Sequence, residues 1–246
     1  MRILLLLLLL SNLAFSDDKR EIYLYLEGRS VYQEMCAQCH GKLGKGDGDW
    51  AEGWTENRPR NFREGVFKFR STPMGKLPTD ADLRRTISSG ISGTAMPAFK
   101  KHLSESQYDA VIEYIKHLSK RWRDPENQGE PVKVPEMPEW FGSVGESKRH
   151  SEAGRELFAK HCTACHGEAG KGDGVAGVAL MDVWGHKIKP ADLTVKFLKS
   201  GQSSADIYRS VAMGLDGTPM VGFKGILSDR EIWDLIVFIR SLRGDR

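Results

Sequence analysis

Two stretches of this chain repeat each other closely, and this repeat constrains the fold more than any other feature. Residues 28–48 read GRSVYQEMCAQCHGKLGKGDG, and residues 154–174 read GRELFAKHCTACHGEAGKGDG, at an offset of 126. A second block, residues 79–118, aligns without gaps with residues 203–242 at an offset of 124. Two long matches in the same order predict a duplicated domain.

The repeats divide the sequence into four predicted parts. We expect a signal peptide at residues 1–16, a first domain at 17–124, a linker at 125–146 and a second domain at 147–246. Four of the ten prolines of the chain lie in the linker region, which indicates a semi-rigid spacer.

The first sixteen residues have the pattern of an export signal. Met1-Arg2 is basic, Ile3 to Leu10 is apolar, and Ala14 and Ser16 are small residues before the expected cleavage after Ser16. The apolar stretch is shorter than the roughly 20 residues of a membrane-spanning helix. We therefore predict a periplasmic protein whose mature chain has no transmembrane segment.

The composition and periodicity favour an all-α fold that does not bind nucleic acid. The formal net charge of +3 is too small for a nucleic-acid-binding protein. Each repeat ends in a helix with a capping box, at Ser104 and at Ser228, and no alternating strand pattern of useful length occurs. We predict helices in equivalent positions of the two repeats: 28–39 and 152–165, 81–89 and 205–213, and 104–118 and 228–242.

Each repeat contains one Cys-x-x-Cys-His motif, and the two motifs use all four cysteines. They are Cys36, Cys39 and His40 in the first repeat and Cys162, Cys165 and His166 in the second. This pattern is the signature of covalent c-type haem attachment. Cysteines at i and i+3 of a helical turn can form thioethers with the two vinyl groups of one porphyrin. Histidine at i+4 can ligate the iron, so the sequence predicts two covalently bound haem c groups.

Three other interpretations of the cysteine pairs are weaker. A zinc site would need the pairs together, but they lie in separate repeats and each precedes a histidine. A thioredoxin-like redox pair would follow a strand, and none is predicted. Structural disulfides would leave the histidines unexplained.

The second axial ligand of each iron is predicted to be a methionine. Met96 and Met220 follow Gly-Thr-x in equivalent positions of the repeats, 56 residues after His40 and 54 after His166. Met74 is the competing candidate in the first repeat. Bis-histidine ligation is the weaker alternative, because the other histidines have no equivalents; these are His102, His117, His150, His161 and His186.

These motifs together resemble a two-haem class I cytochrome c. The resemblance covers about residues 24–121 and 150–243, and Gly28 with Tyr32 and Gly154 with Phe158 look like the family's contact between first and last helices. It implies tandem class I cytochrome c-like modules, each with a few helices and long loops around a covalent haem.

The resemblance implies an electron carrier rather than an enzyme. It would transfer single electrons between donor and acceptor proteins of a respiratory chain, and methionine–histidine ligation suits a high potential. Two alternatives stay open: a peroxidase-like haem enzyme with one open iron site, and a bound electron-transfer subunit of a periplasmic molybdenum oxidoreductase.

Overall fold

The computed structural model describes the backbone of residues 2–244 and the side-chain environments of residues 19–143 and 145–244. The predicted signal peptide, residues 1–16, lies outside the residues whose side chains are described. Over the described backbone the regular structure is helical, with two isolated bridges and no β-strand. The predicted all-α fold is therefore confirmed.

Eight α-helices and five short 3-10 helices form the regular structure of this part of the chain, and the α-helices position the motifs. They are α1 (Arg2–Met35), α2 (Ala37–His40), α3 (Asp80–Ser89), α4 (Glu105–Leu118), α5 (Val144–His161), α6 (Thr163–His166), α7 (Ser204–Met213) and α8 (Asp229–Leu242). Within the described residues, no helix is both long enough and apolar enough to cross a bilayer.

Four of these helices begin with a capping box, in which the N-cap side chain and the N3 side chain each bond to the other's backbone N–H. The two predicted boxes are present at Ser104 and Ser228. Thr79 and Ser203 form two more, at the starts of α3 and α7, with aspartate at N3. The equivalent helices α3 and α7 therefore start in the same way, and so do α4 and α8.

The helix around each cysteine pair is shorter at its end than the sequence predicted. α1 ends at Met35 and α5 at His161, and the next residue, Cys36 or Cys162, has φ −120°. The carbonyl of Cys36 accepts from the N–H groups of both Cys39 and His40, at 3.2 and 2.9 Å. This shared acceptor tightens the chain into the separate short turn α2. α5 also begins at Val144, earlier than the predicted residue 152.

The chain folds into two compact units. The first consists of Met1–Gly53, Arg58–Gly65 and Phe99–Asp124, and the second of Trp54–Asn57, Val66–Ala98 and Pro125–Arg246. Residues 66–98, although they belong to the first repeat in sequence, pack within the second unit.

The first unit is built on the crossing of α1 and α4. A Cβ at Gly28 would lie 1.9 Å from the carbonyl oxygen of Ala110, so only glycine permits this approach. Tyr32 is fully buried beside the crossing and donates from its hydroxyl to the carbonyl of Gly41 at 2.9 Å. That bond connects the helix crossing directly to the turn that follows the histidine of the motif.

The second unit repeats this arrangement with α5 and α8. A Cβ at Gly154 would lie 2.1 Å from the carbonyl oxygen of Asp234. Phe158 is 1% exposed at the crossing and belongs to an apolar core contributed mainly by α7 and α8. The glycine and aromatic contacts predicted from the resemblance are therefore present in both units.

The proline-rich linker packs closely against its own unit. Val132 donates its N–H to the carbonyl of Ser71 at 2.7 Å, and the carbonyl of Asn127 accepts from the N–H of Leu77 at 2.8 Å. Val132 and Val134 also pack on the apolar core of the second unit. Residues 71–77 and the linker thus stabilise each other.

Asp82 anchors the start of α3 from a nearly fully buried position. Its carboxylate accepts from the N–H and hydroxyl of Ser71, each at 2.8 Å, and from the N–H of Thr79 at 3.1 Å. Arg85 pairs with the other oxygen at 3.0 Å. Burial raises the pKa of Asp82, but these hydrogen bonds and Arg85 outweigh it and hold the pKa below its ordinary value.

Candidate haem sites

Each Cys-x-x-Cys-His motif forms one compact turn, and the two turns have the same backbone bonding. The carbonyl of Cys162 accepts from Cys165 and His166 at 3.2 and 2.8 Å, as the carbonyl of Cys36 does in the first motif. All four cysteines are free thiols and half-buried. Each motif thus presents two thiols and an imidazole within one short turn.

Each motif histidine is oriented by a backbone carbonyl. His40 Nδ1 lies 3.1 Å from the carbonyl oxygen of Arg60, and His166 Nδ1 lies 3.0 Å from that of Ala191. A carbonyl can only accept, so Nδ1 carries the proton and Nε2 keeps a lone pair. This is the arrangement that holds an imidazole ready to bind a metal through Nε2.

Burial keeps the histidines neutral and the first cysteine of each motif protonated. Burial lowers the pKa of His40 to about 4, against the opposing effect of its hydrogen bond to Arg60. Burial likewise lowers the pKa of His166. It raises the pKa of Cys36 to about 12 and that of Cys162 to about 11, with the neighbouring thiol adding to the effect. A neutral imidazole is the form that ligates iron.

The glycine-rich segment after each motif folds beneath the short helix. A Cβ at Gly48 would lie 2.3 Å from the carbonyl oxygen of Gln38, and one at Gly174 would lie 2.4 Å from that of Ala164. This close backbone approach explains why glycine occupies both positions.

The two candidate methionines lie in loops with the same hydrogen bonds. Met96 N–H donates to the hydroxyl of Thr94 at 3.1 Å, and that hydroxyl donates to the carbonyl of Ile91 at 2.8 Å. In the second repeat Met220 N–H donates to the hydroxyl of Thr218 at 3.2 Å. Both methionines are half-buried. The threonine of the Gly-Thr-x-Met pattern therefore fixes the backbone of the methionine itself.

Two side chains of the second unit pack against the chain around Met220, residues 214–223, which we call the Met220 loop. A Cβ at Gly217 would lie 2.8 Å from the ring of Trp184, and one at Gly214 would lie 2.6 Å from the terminal methyl of Met74. Met74, the competing ligand candidate, therefore contacts the loop of the second repeat.

A buried ion pair fastens the same loop. Arg70, whose side chain is fully buried, donates from Nη2 to Asp216 at 2.9 Å. The N–H of Gly75 lies 3.2 Å from both carboxylate oxygens of Asp216. The two residues are 146 positions apart in sequence, and the pair was not predicted. The one available signal was the difference between the repeats at this position, where the second has Asp216 and the first has a serine.

Of the other histidines, His150 is engaged elsewhere. It is 2% exposed, its Nδ1 lies 2.6 Å from Asp234, and its ring stacks on Trp140 at 3.5 Å. These contacts place His150 in the packing between α5 and α8, which weakens the bis-histidine alternative.

The residues at each motif fit a covalently attached haem. Two half-buried thiols precede an imidazole whose Nδ1 is already bonded, and the part of the chain that the structure describes holds no cluster of His, Cys, Asp and Glu suited to another metal. The carbonyls of Arg60 and Ala191 were not recognised from the sequence. The available signal was the proline before each of them, Pro59 and Pro190.

Family models match each half of the chain. Residues 24–115 match the model described as cytochrome c oxidase, cbb3-type, subunit III, and residues 151–243 match the model described as cytochrome c.

Known proteins match over most of the chain. A chain of the reducing HAO-like protein complex of Kuenenia stuttgartiensis is 38% identical, with a TM-score of 0.80 over 88% of this chain and 95% of that one. The cbb3-type cytochrome c oxidase subunit CcoP of Azospirillum brasilense is 27% identical over 89% of this chain and 62% of its own length. Thiosulfate dehydrogenase of Psychrobacter arcticus is 26% identical over 85% of this chain and 56% of its own length. The chain thus spans about three fifths of the length of these two curated relatives.

The helical fold, the duplicated motifs and these matches define a c-type cytochrome. The chain belongs to the cytochrome c family, with two tandem cytochrome c domains, and the predicted resemblance to two-haem class I cytochromes c is confirmed.

Proposed function

We propose that this chain is a periplasmic electron-transfer subunit that carries two covalently bound haem c groups. When bound, each haem supplies an iron that gains or loses one electron. The chain's residues hold the group, orient its ligands and set the potential. The observation that carries this proposal is the identical geometry of the two motifs, each with its histidine Nδ1 bonded to a carbonyl.

Four thiols and two imidazoles are the proposed attachment residues. Cys36 and Cys39 would form thioethers with one haem, and Cys162 and Cys165 with the other. His40 and His166 would ligate the irons through Nε2, since each Nδ1–H is already donated to a backbone carbonyl. The bond at Nδ1 fixes the tautomer of each histidine, so Nε2 would keep its lone pair available for a bound iron.

Met96 and Met220 would supply the second protein ligand of each iron. The hydroxyls of Thr94 and Thr218 bond to the methionine backbone in the same way in both loops, which supports equivalent roles. A thioether ligand raises the reduction potential, and two closed iron sites suit a carrier.

The relatives favour a bound subunit over a free shuttle. One matching chain comes from an HAO-like protein complex, and another relative is a subunit of a cbb3-type oxidase. We therefore propose that this chain receives electrons from one protein of a redox complex and passes them to another. The names of the three relatives above do not mention molybdenum, so they lend no support to that alternative.

A haem enzyme remains the second candidate, favoured by the similarity to thiosulfate dehydrogenase. Such an enzyme would need a reactive iron or side chain. All four cysteines lie in the two haem motifs, so no cysteine is left as a reactive side chain. Both repeats also contain a candidate methionine ligand, which argues against an open iron site. Turnover of thiosulfate by the purified protein, with a dye as electron acceptor, tests this candidate directly.

The proposed relay, in which electrons pass from a donor protein through both haems to an acceptor, is tested by removing one proposed iron ligand at a time. His40→Ala and His166→Ala, in chains that keep their cysteines, should each block electron transfer from a reduced donor to an acceptor complex. His186→Ala, which changes an exposed histidine outside both motifs, is the matched control and should leave the transfer rate unchanged. Unchanged transfer in both motif variants would contradict the relay.

A further inference from the structure

A small cavity in the second unit is lined by an unusual number of cationic side chains. Its volume is about 10 Å³, enough for one water-sized group. The charged residues of its lining are Lys68, Arg70, Arg85, Asp206 and Arg209. We call this cavity the arginine pocket. It takes no part in the proposed attachment of haem through cysteine and histidine.

Two of the arginines that line the arginine pocket each have one N–H donor with no acceptor among the described residues. They are Arg70 Nη1 and Arg209 Nε, both of which are inaccessible to solvent. The remaining guanidinium nitrogens of Arg70 are satisfied, because Nε donates to the carbonyl of Pro73 at 3.2 Å and Nη2 donates to Asp216 at 2.9 Å. A buried charged donor without an acceptor is costly, so an acceptor is expected next to Nη1.

The sequence repeat brings equivalent residues to the same pocket. Arg85 and Arg209 occupy matching positions, and each pairs with the aspartate three residues earlier, at 3.0 and 3.2 Å. Arg70 is paired with Asp216, and Lys68 adds a fourth cation to the lining. The three arginines keep planar N–H groups in addition to those used on the aspartates, which suits recognition of an anion.

We propose that the arginine pocket binds one small anion, which accepts hydrogen bonds from Arg70 Nη1 and Arg209 Nε. The small volume suits a single halide ion or one carboxylate group. Two sources provide this chemistry: dissolved chloride, and a carboxylate carried by a haem bound to this chain. A cation or an extended organic anion does not suit a pocket of this charge and size.

The test uses the full haem-loaded chain. Crystals grown in bromide are measured at the bromine absorption edge, and thermal unfolding is followed in sodium bromide and in sodium methanesulfonate at equal ionic strength. Arg209→Gln is the main variant, since its side chain is 27% exposed and its loss is better tolerated than that of Arg70. Arg209→Lys is the second variant, which keeps the charge but loses the Nε donor. Arg149→Gln is the matched control, because Arg149 also pairs with an acid three residues earlier but on an exposed surface.

A dissolved anion predicts a bromide peak within hydrogen-bond distance of both donors. It also predicts an unfolding midpoint that rises with bromide and saturates. Arg209→Gln and Arg209→Lys should then need at least tenfold more bromide for the same rise, whereas Arg149→Gln should behave like the wild type.

A haem carboxylate predicts a different pattern that also supports the pocket. Density for the carboxylate then lies against Arg70 and Arg209, the two salts give equal unfolding midpoints, and Arg209→Gln shifts the reduction potential of one haem. A structure with neither anion at the two donors, together with equal midpoints and unshifted potentials, would overturn the proposal. These measurements do not depend on whether the chain acts as a carrier or as an enzyme.

Discussion

The pair between Arg70 and Asp216 gives the sharpest energetic prediction, through the substitution Asp216→Asn. The Arg70 side chain is fully buried and that of Asp216 is 9% exposed, so neither charge is well solvated without the other. Asparagine is close in size to aspartate and can still accept one hydrogen bond. However, its amide nitrogen would face either the guanidinium or the N–H of Gly75, and both are donors.

The expected loss of stability is large for a single-atom change. Removing one partner of a buried ion pair costs about 3–5 kcal/mol, because the other charge remains buried and uncompensated. With a urea dependence of about 2 kcal/mol per molar, the unfolding midpoint of the second unit should fall by about 2 M. Glu56→Gln is the control, since Glu56 pairs with Lys189 at 3.0 Å and both side chains are more than half exposed. This change should cost less than about 1 kcal/mol.

The assay is urea unfolding of the haem-loaded chain, followed by far-ultraviolet circular dichroism. If Asp216→Asn unfolds at the same urea concentration as Glu56→Gln, the pair does not fasten the Met220 loop. Burial of the two charges would then contribute nothing to the stability of the second unit, contrary to this prediction.

Three further substitutions test separate parts of the structure. Asp82→Asn should lower the free energy of unfolding by about 2 kcal/mol at pH 7. The pKa of Asp82 is lower in the folded than in the unfolded chain, so its stabilising contribution is present above the unfolded pKa of about 3.9 and is lost as the pH falls through the folded pKa. The difference in unfolding midpoint between this variant and the wild type should therefore vanish in acid. A difference that stays constant with pH would contradict this. Gly154→Ala should destabilise the fold by at least about 1–3 kcal/mol in thermal unfolding, whereas Gly145→Ala, with open space around it on the same helix, should be neutral or slightly stabilising; equal effects would refute the close contact. Thr218→Val should remove the hydroxyl that bonds Met220 N–H, so the far-red methionine–iron band of oxidised protein should disappear at a lower temperature than in wild type; an unchanged band would show that the threonine does not hold the loop.

The sequence predicted those features that have a local pattern. The repeat, the helical periodicity and the boxes at Ser104 and Ser228 were enough for the all-α fold, and both motifs fold as equivalent turns. The exact end of α1 was missed because it depends on one backbone carbonyl, at Cys36, that accepts twice. A hydrogen bond between two backbone groups involves no side chain, so the sequence pattern does not predict it.

Long-range partners were missed for a related reason. Arg60 and Ala191 serve the histidines through backbone carbonyls, so their side chains carry no signal. Arg70 and Asp216 are far apart in sequence and follow no helical spacing. The methionine ligands stay a prediction, supported by the matching bonds of their loops.

The central claim is that the chain carries two covalent haems, each with a histidine and a methionine as iron ligands, and it is tested most directly on the purified protein. Its intact mass and the visible and far-red spectra of its oxidised form would be recorded together. We predict a mass increased by two haem groups, a far-red methionine–iron band of an intensity that accounts for both, and no spectral change with peroxide. A mass increased by one haem or none, or a high-spin haem that binds peroxide or carbon monoxide readily, would contradict this claim.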